Sequence, residues 1–286
     1  MNKILLLSLV LFGYLTHFAQ NATDIFLADI SINETYAIIG NIKNISNHAG
    51  YDNQPNLISN SKILFSSIRD GKQSDIYEYD INTDKLTPFT SSDESEYSPT
   101  LSLDGKSVIC VKVEKDEKQR LWSYNIKKKV PKIYLPNVDS VGYFTQLNKY
   151  NLAIFALGEP QTLRWVDVKT QQEKIIDKQI GRTLYVNPIN NQLYYVDKSI
   201  DNKWILKCLK AEEIIPIIEM PTNTEDFCIT NDGLILSFSN NKLLGFYPGE
   251  SRSWFVLAVL DEFSGKKITR LAINKTSTKL AFVVSE

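Results

Sequence analysis

The amino-acid sequence predicts an all-β fold: a six-bladed β-propeller of four-stranded blades, the ring closed by N-terminal strands that complete the C-terminal blade. Three observations point there. Short apolar runs recur at a step of about 44 residues, within the range of propeller repeats. No stretch after the first 20 residues sustains a 3.6-residue apolar period with helix caps. The last copy of the repeat holds two strands, and the two it lacks stand near the other end of the chain.

The repeat is plainest between Tyr51 and Pro136. The first copy runs through Pro55-Asn56-Leu57, Lys62 to Ser67, Asp75 to Ile81 and Lys85 to Phe89. The second answers with Tyr97-Ser98-Pro99-Thr100-Leu101, Lys106 to Val111, Leu121 to Ile126 and Pro131 to Tyr134. Asp104-Gly105 between apolar runs is a hairpin signal, because both central positions of such a turn want positive φ. In Ile76-Tyr77-Glu78-Tyr79-Asp80-Ile81 successive side chains face opposite sides of a strand. Fainter copies follow, with a further Asp-Gly turn at Asp232-Gly233.

The final copy ends after Ile268 to Ile273 and Lys279 to Val284. Asp24-Ile25-Phe26-Leu27-Ala28-Asp29-Ile30 matches Asp75 to Ile81 position for position, and Tyr36 to Ile45 supplies an outer strand. Joining the two ends closes the ring and removes the unpaired edges of an open array. The blades then fall at roughly 51–90, 97–136, 141–177, 182–218, 225–260, and 267–286 plus 24–45, in one domain over 20–286.

Residues 1–19 read as a secretory signal: Lys3, an uncharged apolar run from Ile4 to Phe12, and Ala19 at the cleavage position. The run is too short to span a bilayer. The mature chain is expected to be exported to the periplasm, the cell envelope or beyond. A formal net charge of −1 gives no global field toward nucleic acid or membranes. Cys110, Cys208 and Cys228 are odd in number and sit in apolar runs, which suits buried thiols; a Cys208–Cys228 disulfide is the alternative.

Glu96-Tyr97-Ser98-Pro99-Thr100-Leu101-Ser102-Leu103-Asp104-Gly105-Lys106 resembles the TolB-type, WD-like propeller repeat, in which an acidic residue, a proline and an Asp-Gly-Lys turn recur in each blade. Asp52…Pro55 and Ile268-Thr269-Arg270-Leu271-Ala272-Ile273 are similar in kind. The resemblance implies a six-bladed propeller of the periplasm or outer surface. It comes without the N-terminal domain that precedes the propeller in TolB itself.

Catalytic motifs are missing. After residue 19 the chain holds one histidine, His48, and no G-x-S-x-G elbow, P-loop or His-Glu-x-x-His motif. His48 is expected in a solvent-facing loop. Polar groups converging on the channel mouth are the default site hypothesis. The loops entering the innermost strands offer Asp52, Glu96, Tyr97, Asp139, Arg182 and Asp226, with Arg69, Asp70 and the run 114–118 on the connecting loops. Asp52 and Glu96 occupy equivalent repeat positions, which a structural role in each blade also explains. Trp122, Trp165, Trp204 and Trp254 read as inter-blade core.

The expected function is a non-catalytic module that binds a protein or peptide at the channel face, as a monomer, without cofactor, nucleic acid or membrane span. Two alternatives stand beside it. One is a calcium-dependent lactonase-like hydrolase whose metal would draw on Asp52, Glu96, Asp139 and Asp226. The other is a sensor of a small molecule or glycan.

Overall fold

A computed structural model describes residues 22–69 and 71–285; the leader reading over 1–19 and Asp70 fall outside them. Six antiparallel sheets of four strands stand in a ring. Blade 1 shows the pattern, with strands Asp52–Leu57, Lys62–Ser67, Asp75–Asp80 and Lys85–Pro88 running outward from the axis. The other innermost strands are Ser95–Leu101, Val141–Gln146, Ile180–Val186, Phe227–Ile229 and Lys267–Ile273. Each touches the next around the axis, and the last touches the first.

The sixth blade is assembled from both ends of the described chain. Its order from the axis is Lys267–Ile273, Lys279–Ser285, Thr23–Ile32 and Ala37–Asn44. The closing ladder runs from Thr23 opposite Ser285 to Asp29 opposite Lys279. Gly105 and Gly233 take φ of 68° and 90° in the Asp-Gly hairpins, a region that costs an L side chain more. The only helical turn among the described residues is the 3₁₀ segment Asp261–Phe263.

The second strand of each blade is buried along nearly its whole length: Ile63 to Ser67, Val108 to Lys112, Leu152 to Ala156, Leu193 to Asp197, Ile235 to Phe238 and Leu280 to Val284. Both faces of these strands meet a neighbouring blade, so alternation gives way to continuous apolar runs. Outermost strands such as Glu173–Lys178 are largely exposed. The apolar core divides into six clusters, one at each blade–blade interface. The four tryptophans pack partly buried against three of them. All three cysteines are buried and free.

The interface between blades 5 and 6 is rich in aromatics. Phe282 stacks on Phe26 at 5.9 Å and meets Phe263 edge-on at 5.4 Å, with Phe238 tilted at 5.5 Å. Truncating a fully buried ring there removes apolar burial and leaves a void. Phe282→Ala is expected to cost about 3–5 kcal/mol. Ile175→Ala, on the exposed outer edge of blade 3, is expected to change stability by less than about 0.5 kcal/mol. Denaturant unfolding of the two variants checks this; equal losses would show that packing between blades does not dominate the fold.

Candidate functional site

Five innermost strands break register midway: between Asn53 and Asn56, Tyr97 and Thr100, Val141 and Tyr143, Ile180 and Leu184, and Thr269 and Ala272. Such bulges re-aim side chains and leave backbone groups outside the ladder. Gln54, Ser98 and Arg270 hold φ of 58°, 54° and 55° there, a sparsely populated region for residues with a side chain. Neighbouring blades take up the freed N–H groups. The Ser98 N–H donates to Gln54 Oε1 at 2.9 Å and the Arg182 N–H to Glu225 Oε2 at 3.0 Å, while the Arg270 N–H donates to the Asp226 carboxylate. A Cβ on Gly181 would lie 2.8 Å from Glu225 Oε2, so this approach depends on glycine.

An axial cavity of about 460 Å³ begins at these bulges. It lies toward the ends of the innermost strands that turn into the second strands, opposite the entering loops favoured by sequence. Leu57, Leu101, Thr145 and Ile273 contribute to its walls, and Leu103 and Lys275 to its rim. Tyr143, Arg182 and Arg270 form its floor.

That floor is a linked set. Arg270 Nη2 donates to Tyr143 Oη at 2.6 Å, and its guanidinium lies 4.6 Å from the centroid of the same ring. Blades 3 and 6 stand opposite in a ring of six, so this pair bridges the axis. Arg182 grips Asp226 with Nε to Oδ1 at 3.1 Å and Nη2 to Oδ2 at 2.6 Å, and Thr183 Oγ1 adds a contact at 3.3 Å. Burial pushes the Asp226 pKa up, but Arg270 and Arg182 outweigh it and hold the carboxyl below its ordinary value. Burial likewise opposes the charge on Arg182, and the carboxylates of Asp226 and Glu225 more than restore it. Tyr51 and Tyr97 meet edge-on at 6.4 Å toward the other end of the channel, where burial raises both hydroxyl pKa values.

Of the six residues singled out by sequence, the structure brings Arg182 and Asp226 together, and only Arg182 lines the axial cavity. Tyr97 packs against Tyr51. Asp52 and Glu96 are completely buried at matching positions of blades 1 and 2. Glu96 accepts from Thr90 Oγ1 and Tyr124 Oη at 2.9 Å each and from Ser92 Oγ. Asp52 faces Arg69 at 3.4 Å and His48 at 3.8 Å. His48 is therefore half-buried beside a carboxylate, not solvent-facing, because Gly50 lets its ring fold down onto the loop. Asp139 accepts from the N–H groups of Gln119 at 3.0 Å and Ser140 at 2.5 Å and lines a separate cavity of about 240 Å³.

The four carboxylates proposed for calcium thus sit on different blades, each with its own partners. Among the described residues no three His, Cys, Asp or Glu side chains converge to hold a metal ion. Tyr143 and Arg270 were missed by sequence. Arg270 could have been found: Ile268-Thr269-Arg270-Leu271 aligns with Glu96-Tyr97-Ser98-Pro99, which puts it at the bulge. No helix among the described residues is long and apolar enough to cross a membrane.

Burial is the largest influence on the Asp52 carboxyl and raises its pKa, against the pull of Ser67, Arg69 and His48. A carboxyl raised in the folded state contributes stability that is present below the unfolded value and lost as pH rises through the folded one. Asp52→Asn should therefore gain stability relative to the parent between pH 4 and pH 7. Denaturant melts at the two pH values test this, and a relative loss over that interval would refute it.

No protein-family model matches the chain, and no curated protein matches it in sequence. Solved structures do match in shape. A putative TolB from Agrobacterium tumefaciens superposes with a TM-score of 0.70 at 10% identity, covering 93% of this chain and 99% of that one. TolB from Acinetobacter baumannii gives 0.58 at 11% identity over 93% of this chain; the match spans 64% of that protein's length. An oligogalacturonate lyase from Vibrio parahaemolyticus gives 0.54 at 10% identity, over 93% and 98% of the two chains. Identities this low speak for architecture and not for activity. In fold, the chain is a six-bladed propeller like those of the TolB proteins.

Proposed function

We propose that the protein is an exported, non-catalytic module of the cell envelope that receives a protein or peptide segment in its axial cavity. The observation that carries this reading is the cavity itself. At about 460 Å³ it falls within the range of ligand sites and combines aliphatic walls with a few placed polar groups. Its hydroxyls and amides, including Ser98, Thr100 and Asn56, offer hydrogen bonds to a polypeptide backbone. The one histidine after residue 19 is not among its lining residues, so no Ser–His nucleophile pair forms there. The leader pattern over 1–19 supports export.

A photo-crosslinking amino acid at Leu103, exposed at the cavity rim, tests the assignment against one at Asp93, on an entering loop of the opposite face. Expressed in its envelope setting, the Leu103 variant should yield a discrete protein adduct and the Asp93 variant none. An adduct from Asp93 alone would move the binding face to the entering loops. Absence of adducts from both would overturn the module reading.

The hydrolase reading keeps one separable expectation. A calcium site occupied at a hundred times its Kd would add about 2.7 kcal/mol to stability. Millimolar calcium is expected to leave the melting temperature unchanged; a shift of several degrees that chelation reverses would restore the hydrolase. The lyase name belongs to the structural neighbour, and its shape likeness does not favour catalysis here.

A further inference from the structure

Charge in the axial cavity is one-sided. Its lining holds Arg182, Arg270 and Lys275 and no aspartate or glutamate, in a chain whose formal net charge is −1. The three cations differ in how far they are neutralised. Arg182 is committed to Asp226, a residue 2% exposed behind the floor. Arg270 makes no ion pair among the described residues; its partner is the neutral Tyr143 hydroxyl. Both guanidiniums act on Asp226, Arg182 also faces Glu225 at 3.6 Å, and Lys198 shares that carboxylate, so three cations stand against two carboxylates and the surplus positive charge falls to Arg270. Low-dielectric walls of Leu57, Leu101 and Ile273 concentrate that field along the axis.

From this we infer that the cavity is a carboxylate receptor, selecting an acidic peptide whose carboxylate docks on Arg270 at the floor, with Lys275 drawing it in at the rim. The inference rests on the peptide-binding reading above and adds its chemistry. Guanidinium is the donor best matched to a carboxylate, since its planar fork offers two parallel N–H groups. One edge of Arg270 is spent on Tyr143. The Tyr143 hydroxyl, accepting from Arg270, keeps its own proton free to donate to the same ligand. The walls suit aliphatic side chains beside the acid. An acidic sugar is less well served, because the Arg270 guanidinium already lies over one face of the floor ring, leaving less aromatic surface for stacking.

A random heptapeptide library selected on the immobilised protein tests this, followed by affinity measurement of the best binder in four forms. These are the peptide as selected, with Asn or Gln for each acid, with a free C-terminus and no acidic side chain, and with an amidated C-terminus. Selection should enrich Asp and Glu. Exchange of the key acid for its amide should weaken binding roughly tenfold or more, the scale of one charge-assisted contact. Arg270→Gln should bring parent and amide peptides to equal affinity, and the milder Lys275→Gln should reduce the preference without touching the floor. Retention by the free-terminus form alone would make the C-terminus the source of the carboxylate. Neutral or basic winners, or no difference between acid and amide, would overturn the carboxylate assignment and leave the peptide reading intact. No enrichment of any sequence would overturn both, as would digalacturonate causing chemical-shift changes at the floor while no peptide binds.

Discussion

The structure depends on burying the second strand of every blade between two neighbours. A single four-stranded blade cannot hide such a strand, since one face of Leu280–Val284 or Val108–Val111 would always meet water. The clusters that stabilise the molecule therefore lie between blades and not within them. Ring closure follows from the same requirement. Pairing Thr23–Asp29 with Lys279–Ser285 supplies the sixth blade with its outer half and gives blades 1 and 5 a neighbour on each side.

Closing a ring places six strands around one axis, where side chains have little room. The bulges answer that crowding by turning single residues inward and sending the displaced N–H groups to the adjoining blade. The acidic residues of the entering segments are used up in this work. Glu96 is held by hydroxyls beside the buried Lys112, Asp226 by Arg182, and Asp52 beside Arg69. What reaches the open part of the axis is the surplus: a guanidinium held over a phenol ring, aliphatic walls and hydroxyls. Anchoring by carboxylates and recognition by cations are thus two sides of one arrangement, since buried charges persist only when paired.

Much of the fold was legible because its cause is local. Pro55 and Pro99 mark the innermost strands of blades 1 and 2, Asp104-Gly105 and Asp232-Gly233 mark hairpins of blades 2 and 5, and the Asp24–Ile30 match to Asp75–Ile81 marks the closing strand. The site was legible only in part. Asp52 and Glu96 are equivalent by repeat position and both are buried, Asp52 beside Arg69 and His48 and Glu96 among hydroxyls. The same repetition could not say whether their partners were a ligand's groups or the protein's own. Tyr143 lies in a copy that has diverged far from blades 1 and 2, so its place at the bulge left little signal.

By itself, the sequence determined the strand pattern, the number of blades and the way the ring closes, because alternation, turn chemistry and repeat length act over a few residues at a time. Tertiary structure alone decided which side chains meet on the axis. Arg270 and Tyr143 are 127 positions apart and come within hydrogen-bonding reach because opposite blades of a six-membered ring face each other across a narrow channel. It decided the sign of the cavity as well. Charge there depends on which carboxylates the blade interfaces bury and pair, a sum over the whole ring that no single repeat contains.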